Sequence, residues 1–344
     1  MTTASERPTT PDGAPQASEA LVRVRHRRFA GARTRVLEVG PKPERPRSAR
    51  RRRALRGSPS RPRFVLFHGY CDSADTWTPL LRQLAAEGSS AIAIDLPGFG
   101  EADELRDGPI LPQMDAFVSA VVKDQAAHGD VVLVGNSLGG TVSLRAAQNR
   151  WLPIAGVTSI AAPGFSDTWL VRAIRKYPLP LRMYASLPLP VPGKVIRTVA
   201  DSVIPRLLYA TPRPSGDEHV RRFLSLFPDY RSTTWRLNQA RRLVEELDDC
   251  YELDRITAPL LVVACGRDRL VRAAGGTMLH TLVPHSRLLV REDWGHCPQL
   301  DHAEEVHQLV SHFGEGCTRT ARTARTASNT VTPPTAITPD AAAS

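Results

Sequence analysis

Short apolar runs, many of them β-branched, recur along most of the chain and are separated by longer stretches with helical spacing of apolar residues. Short runs of this kind form strands, and the longer amphipathic stretches form helices. The strand candidates are 21 to 29, 34 to 39, 63 to 67, 90 to 94, 130 to 134, 154 to 161, 259 to 264 and 287 to 291. The helix candidates are 76 to 87, 113 to 128, 138 to 149, 271 to 283 and 301 to 313. The alternation predicts βαβ units, and therefore an α/β fold with an eight-stranded, mostly parallel sheet flanked by helices.

Two segments interrupt this alternation, and both ends of the chain differ from it in composition. Residues 41–62 are basic and rich in proline, which predicts a surface loop. Residues 165–250 have helical runs without strand-like alternation, which predicts a helical insertion after the sixth strand. Residues 1–20 and 315–344 are low in large apolar residues and are predicted to be disordered tails. The folded core is then expected in two parts, 21–164 and 251–314.

One serine lies where an apolar strand candidate meets a helix candidate. The stretch Gly135-Asn136-Ser137-Leu138-Gly139 matches the pattern G-x-S-x-G, and it follows "VVLV" and precedes "GTVSLRAAQ". In this context the pattern forms a tight turn that exposes the serine hydroxyl above the sheet, and small flanking residues allow strand and helix to approach. Ser137 is therefore a candidate nucleophile, although a serine in a glycine-rich structural turn would give the same five letters.

A serine hydroxyl needs a base to remove its proton, and the base needs a carboxylate to hold its tautomer. Asp268 in "GRDRLV" follows the strand candidate 259 to 264, and His296 in "DWGHCPQLDH" follows the last strand candidate. The carboxyl ends of parallel strands lie at one edge of a sheet, where the serine is also expected. We therefore predict a triad of Ser137, Asp268 and His296.

With these residues in place, the chain resembles the α/β-hydrolases that use a serine triad, over about residues 21 to 314. The resemblance implies that the insertion 165–250 is a cap over the site. It also implies that the "HG" turn of "LFHGYCDSADTW" and the residue after the nucleophile form an oxyanion hole, with the backbone N–H groups of Tyr70 and Leu138 as donors. A second turn typical of the family, "DLPGFG" at 95–100, is expected to be structural. The resemblance implies neither a metal nor a cofactor.

The acid loop departs from the usual pattern of this family. Cys265 occupies the position of a glycine in the usual G-x-x-D turn, so the turn before Asp268 is expected to differ in shape. A minority of the family takes the acid from after the sixth strand, where Asp167 is the alternative to Asp268. Cys71 and Cys297 adjoin candidate site residues and are interpreted as packing residues.

The reaction implied by the triad is cleavage of a carboxylic ester or related acyl compound through an acyl-enzyme on Ser137. The expected substrate is a small acyl molecule, and the Leu, Met, Tyr and Val residues of the insertion favour a lipophilic one. Acyl transfer, hydrolysis of a carbon–carbon bond and perhydrolysis use the same triad and stay open. Serine in place of aspartate excludes the branches of the family that need a carboxylate nucleophile.

The formal net charge of +10 is concentrated in one place, since residues 41–63 hold ten basic residues and one acid. Such a run can bind nucleic acid or an anionic membrane. A second hypothesis is therefore a non-enzymatic protein with a hydrolase fold that binds anionic partners. We favour a solvated loop, because no aromatic residue is interleaved to stack on bases.

The sequence also bears on location. The first twenty residues contain no apolar run of the kind a signal peptide needs, and no stretch approaches the roughly 20 apolar residues of a membrane-spanning helix. Five cysteines without a metal-binding spacing predict reduced thiols. A cytoplasmic protein is expected.

Overall fold

The computed structural model describes residues 22–40, 62–166, 192–211 and 217–330. Eight strands form one sheet in this part of the chain. They are β1 (Arg23–Phe29), β2 (Ala32–Val39), β3 (Pro62–Phe67), β4 (Ser90–Ile94), β5 (Asp130–Asn136), β6 (Ile154–Ile160), β7 (Leu260–Cys265) and β8 (Arg287–Arg291). Each overlaps one strand candidate from the sequence.

The spatial order of the sheet is β1-β2-β4-β3-β5-β6-β7-β8. Strand β1 pairs with β2, and β2 pairs with β4, both in antiparallel fashion, while β4, β3, β5, β6, β7 and β8 are parallel. In the centre of the sheet, Phe64 of β3 lies between Ala91 of β4 and Val132 of β5. The predicted fold class, an eight-stranded and mostly parallel α/β sheet, is confirmed.

Helices cover both faces of the sheet. The α-helices of the described residues are α1 (Thr78–Ala86), α2 (Ile110–Gln125), α3 (Leu138–Gln148), α4 (Gly193–Leu208), α5 (Glu218–Ser225), α6 (Tyr230–Glu246), α7 (Ala273–Leu282), α8 (Pro298–Asp301) and α9 (Ala303–Thr330). Alternate residues of β3 pack on opposite faces, with Val65 and Phe67 against the side of α2 and α3, and Phe64 and Leu66 against the side of α1 and α9. Strands covered on both faces are buried throughout, which explains their continuous apolar sequences.

The chain between β6 and β7 contains three α-helices in its described parts, as expected of the insertion 165–250. It forms α4, α5 and α6. The amino end of α5 is capped by the Asp217 carboxylate, which accepts bonds from the amides of His219 and Val220, and Asp229 caps α6 through the amide of Ser232. Residues 167–191 and 212–216 of the insertion lie outside the described residues, as do the predicted tail 1–20 and all of the predicted basic loop 41–62 except Pro62, the first residue of β3.

The prediction of a disordered tail from residue 315 is wrong as far as Thr330. Helix α9 continues to Thr330, well beyond the expected helix end at 313. Cys317 is buried against β6, where a Cβ placed on Gly156 would lie 2.4 Å from its Sγ. Alanine and arginine favour helices, and threonine hydroxyls here bond to preceding carbonyls, as Thr320 does to Gly316. A low-complexity sequence therefore forms an ordinary helix here, where disorder was predicted.

None of the helices in the described parts of the chain has the length and apolar character needed to cross a membrane.

Candidate active site

Ser137 lies in a strained turn between the end of β5 and the start of α3. Its φ of +54° and ψ of −117° place a non-glycine residue in backbone space that L-residues rarely adopt, a strain on the order of 1–3 kcal/mol. Two backbone bonds hold it there: the Ser137 amide donates to the Ile160 carbonyl at 2.9 Å, and the Thr141 amide donates to the Ser137 carbonyl at 3.0 Å. Strain retained at one polar residue in this way is typical of functional sites.

Gly135 and Gly139, on either side of Ser137, cannot be replaced because there is no room for a side chain at either position. A Cβ on Gly135 would lie 2.0 Å from the carbonyl oxygen of Gly139, and a Cβ on Gly139 would lie 2.0 Å from that of Phe67. Both distances are far below a van der Waals contact, so any side chain at either position would push α3 away from the sheet. The G-x-S-x-G spacing therefore reflects the close approach of β5, α3 and β3.

The structure brings Asp268 and His296 together from two neighbouring loops. Asp268 follows β7, His296 follows β8, and the Asp268 Oδ2 to His296 Nδ1 distance is 2.7 Å, with both side chains buried. The other carboxylate oxygen, Oδ1, accepts bonds from the amides of Leu270 at 2.7 Å and Val271 at 2.8 Å. An ionised carboxylate has no proton to donate, so His296 carries its proton on Nδ1, and Nε2 is left as an acceptor.

Asn136, the residue before Ser137, joins the serine turn to the histidine loop. Its Nδ2 donates to the carbonyl of His296 at 2.8 Å. The side chain of Gln299 extends this network, since its Nε2 lies 3.4 Å from the Asn136 Oδ1 and 3.1 Å from the Thr76 Oγ1. This role of Asn136 was not predicted from the sequence. The one sequence feature that could have indicated it is that a polar residue, Asn136, occupies the first x of G-x-S-x-G at the end of an apolar strand.

The "HG" turn lies beside Ser137. A Cβ on Gly69 would be 3.4 Å from the Cβ of Ser137. His68 is fully buried and bonded at both ring nitrogens, with Nδ1 donating to the Gly69 carbonyl at 2.7 Å and Nε2 accepting from the Leu96 amide at 2.9 Å. His68 therefore holds the turn in place and is not available as a base. Tyr70 follows this turn, and Leu138 begins α3, where backbone N–H groups have no partner within the helix.

The "DLPGFG" turn has the structural role expected of it. The Asp95 carboxylate accepts bonds from the amides of Ala74 at 2.7 Å and Glu101 at 2.9 Å, and from the Arg35 Nε at 2.9 Å. Gly100, with φ of +56°, packs so closely that a Cβ would lie 2.3 Å from the Asp95 Cγ. Asp95 thereby joins this turn to the chain that follows the "HG" turn.

The cysteines near the site are buried. Burial raises the pKa of the Cys71 thiol to about 12 and that of Cys297 well above its ordinary value. Both thiols are therefore protonated at neutral pH, which agrees with their interpretation as packing residues. Cys265, at the glycine position of the acid turn, is buried at the end of β7, and the turn still carries Asp268 to His296. The alternative acid, Asp167, lies outside the described residues.

The carboxyl end of α4 contacts both loops that carry the acid and the histidine. The Cys297 amide donates to the Leu208 carbonyl at 3.1 Å, and Arg269 Nη1 donates to the Arg206 carbonyl at 2.8 Å. Gly295 has no room for a side chain, because a Cβ there would lie 2.3 Å from the Ala210 nitrogen. The insertion therefore packs directly on the sheet edge that holds His296.

The chain is similar in sequence to known proteins. A pimeloyl-[acyl-carrier protein] methyl ester esterase of Xanthomonas oryzae is 29% identical over 261 residues, which cover 73% of this chain and 94% of the relative. An uncharacterised protein of Mycobacterium tuberculosis is 27% identical over 285 residues, which cover 76% of this chain and 78% of the relative.

Solved structures share the fold. A bacterial membrane phospholipase A superposes with a TM-score of 0.63 at 20% identity, covering 88% of each chain. A thermophilic esterase of Thermogutta terrifontis superposes with a TM-score of 0.62 at 17% identity, covering 86% of this chain and 99% of the other.

The model of the alpha/beta hydrolase family matches residues 64–309, a range that includes the serine turn, the "HG" turn and the loops of Asp268 and His296. The chain belongs to the alpha/beta hydrolase family.

Proposed function

We propose that this chain is a serine hydrolase that cleaves a carboxylic ester or a related acyl compound through an acyl-enzyme on Ser137. The observation that carries the proposal is the buried Asp268–His296 pair, whose carboxylate is fixed by two backbone amides. The strained Ser137 supports it, because its turn is tied to the histidine loop through Asn136.

In the proposed reaction, the Ser137 hydroxyl attacks the carbonyl carbon of the acyl group while the Nε2 of His296 accepts its proton. Asp268 holds the imidazole in the tautomer that can accept and stabilises the imidazolium. The backbone N–H groups of Tyr70 and Leu138 bind the oxyanion. His296 then gives the proton to the leaving alcohol, and a water molecule, activated by His296, releases the acid from Ser137.

We propose that the insertion 165–250 is a cap that covers the site and that the substrate is a small, lipophilic ester. Support for the cap comes from the contacts of α4 with the loops of Asp268 and His296. Support for ester cleavage comes from the relative whose name describes a methyl ester esterase. Its acyl group is attached to a carrier protein, so a carrier-linked ester is a further substrate to assay. The cytoplasmic location stays a prediction.

A fluorophosphonate probe tests the nucleophile. We expect the probe to label the wild-type protein and Ser143→Ala, and to leave Ser137→Ala unlabelled. Ser143 is a suitable control, because it lies on α3 and its hydroxyl bonds to the Gly139 carbonyl at 2.7 Å. A wild-type protein that is folded but unlabelled would contradict the proposal. Hydrolysis of p-nitrophenyl esters of increasing acyl length then gives the preferred acyl group.

A further inference from the structure

The side chain of Tyr70 connects the "HG" turn to the insertion. Its hydroxyl donates to the carbonyl oxygen of Arg236 on α6 at 2.6 Å, and the Oε1 of Gln239, also on α6, lies 3.2 Å from the same hydroxyl. Burial raises the pKa of Tyr70, so the hydroxyl keeps the proton that it donates. The ring also packs edge to face on Phe99, with centroids 5.2 Å apart. One residue thus joins the chain after β3 to a helix that is more than 160 residues away in sequence.

The residue after Tyr70 is held in an unfavourable conformation. Cys71 has a φ of +55°, which costs energy for a residue with a side chain. The positive charge of the Arg236 guanidinium acts to lower the pKa of the Cys71 thiol, against the larger effect of burial, and the Arg236 Nε donates to the Leu226 carbonyl at 2.9 Å. The guanidinium is therefore held at the end of α5, near the strained Cys71.

A third contact lies a few residues further along. Arg222 of α5 approaches the Asp75 carboxylate at 3.4 Å, and Asp75 also pairs with Arg35 of β2. Tyr70 therefore contacts α6, and Asp75 contacts α5. The loop that follows the "HG" turn is held on one side by the sheet and on the other by the insertion.

We infer that the Tyr70 hydroxyl is a positioning group: by bonding to α6 it fixes the orientation of the Tyr70 backbone N–H, the first donor of the oxyanion hole. This inference rests on the proposed function, in which that N–H binds the oxyanion. The oxyanion hole is then complete only when α6 is seated against the loop, so the insertion contributes to the chemical step as well as covering the site.

The test is Tyr70→Phe, which keeps the ring and its contact with Phe99 and removes the hydroxyl alone. Misplacing an oxyanion donor weakens binding of the transition state and leaves binding of the substrate unchanged. We expect kcat for a p-nitrophenyl ester to fall by roughly tenfold to a hundredfold with KM nearly unchanged. The inhibition constant of a trifluoromethyl ketone, which forms an oxyanion on the serine, should rise by a similar factor.

Tyr251→Phe is the matched control. Its hydroxyl bonds to the Thr141 Oγ1 at 3.0 Å and to the Pro163 carbonyl at 2.9 Å, two partners that lie outside α5 and α6. Both variants lose one half-buried tyrosine hydroxyl that makes two hydrogen bonds, so a purely structural effect should lower their melting temperatures alike. Only Tyr70→Phe should change kcat and the ketone inhibition constant.

The outcomes separate this inference from the proposed function. If the wild type hydrolyses esters and Tyr70→Phe has the same kcat and ketone inhibition constant, the inference is overturned and the proposed function stands. If the wild type neither hydrolyses esters nor reacts with fluorophosphonate, the proposed function itself fails. Should Tyr70→Phe not fold, Gln239→Leu removes the second acceptor from α6 and should lower kcat in the same direction, and an unchanged kcat in that variant would overturn the inference.

Discussion

At the scale of single residues, the surroundings of Asp268 specify which tautomer His296 adopts. The two amides that donate to Oδ1 require an acceptor there. In Asp268→Asn the amide oxygen of the new side chain must take that position, which turns its NH₂ group toward His296 Nδ1. An NH₂ group donates, so Nδ1 must become the acceptor and Nε2 must carry the proton. His296 could then no longer take a proton from Ser137.

We therefore expect Asp268→Asn to lower kcat for ester hydrolysis by roughly 10⁴-fold while the protein stays folded. Asp293→Asn is the control, since Asp293 lies in the histidine loop but is exposed. The measurement is kcat together with the melting temperature of each variant. A kcat within tenfold of the wild type would show that Asp268 is not the acid of the triad and would favour Asp167 as that acid.

Asp72 is a second buried carboxyl near the site, and its environment predicts a pH-dependent stability. Its Oδ1 accepts from the Ser73 amide at 2.8 Å, whereas its Oδ2 has no hydrogen-bond partner among the residues that the structure describes. Burial raises its pKa from the ordinary value of 3.8, although the Ser73 amide, Thr76 and Arg222 act in the opposite direction. The thiol of Cys297 also faces it, and that thiol is protonated and neutral.

A carboxyl whose pKa is raised in the folded state binds protons more tightly there than in the unfolded chain. The free energy of unfolding therefore falls as the pH rises from about 4 through the folded-state pKa of Asp72. Asp72→Asn keeps the acceptor for the Ser73 amide and cannot ionise, so its free energy of unfolding does not decrease for this reason as the pH rises. We therefore expect the melting temperature of Asp72→Asn minus that of the wild type to be larger at pH 8 than at pH 4.

The experiment compares thermal unfolding of Asp72→Asn, the wild type and the exposed control Asp107→Asn across that pH range. The control should follow the wild type at every pH. A difference between Asp72→Asn and the wild type that does not change with pH would mean that Asp72 does not carry a raised pKa in the folded protein.

At the scale of elements, α9 packs on the sheet well beyond the predicted end of the folded core. Phe313 and Cys317 are one helical turn apart and both are buried against the face that also holds Phe64 and α1. Burial of one apolar side chain contributes about 1.5–3 kcal/mol. The turn of α9 that holds Phe313 and Cys317 therefore contributes to the free energy of unfolding.

Two truncated chains test this. A chain that ends at Thr330 keeps every described contact of α9 and should unfold at the same urea concentration as the full chain. A chain that ends at Gly314 loses the burial of Cys317 and Thr318 and uncovers Gly156, so its midpoint should fall by an amount equivalent to roughly 2 kcal/mol or more. Equal midpoints for the two truncations would show that residues 315–330 add nothing to stability.

The elements also show what could be predicted from sequence. The strands could be located because buried parallel strands are short apolar runs, and the Asp268–His296 pair could be predicted because the carboxyl ends of neighbouring parallel strands meet at one edge. The bonds from Asn136 to the His296 carbonyl and from Tyr70 to α6 could not be predicted. They depend on where side chains point across the folded molecule, and sequence periodicity carries no information about that. The end of α9 was missed because a low-complexity composition was taken as disorder.

At the scale of the whole molecule, the strands before and after the arginine-rich run fix the distance between its two ends. Gly40 follows β2 and Pro62 begins β3, and β4 lies between these strands, with Ala91 paired to Val39 and Ser90 paired to Arg63. The two ends of the run are thus about two strand spacings apart, roughly 10 Å. Deletion of 43–60 leaves residues 41, 42 and 61 as a link, which can span about 13 Å between Gly40 and Pro62. The sheet can therefore close without the run.

We expect the chain without 43–60 to keep its melting temperature and its ester hydrolysis. The deletion removes seven arginines and one glutamate, so the formal net charge falls from +10 to +4, and elution from heparin should shift to lower salt. A full-length variant with those seven arginines changed to glutamine separates the effect of charge from that of length. A loss of hydrolysis in the deletion alone would show that the segment is part of the folded body. If instead the intact protein binds duplex DNA or anionic vesicles in a salt-dependent way and both variants lose this binding, the run is a docking element. Because both variants are expected to keep ester hydrolysis, such docking would be independent of the hydrolase site.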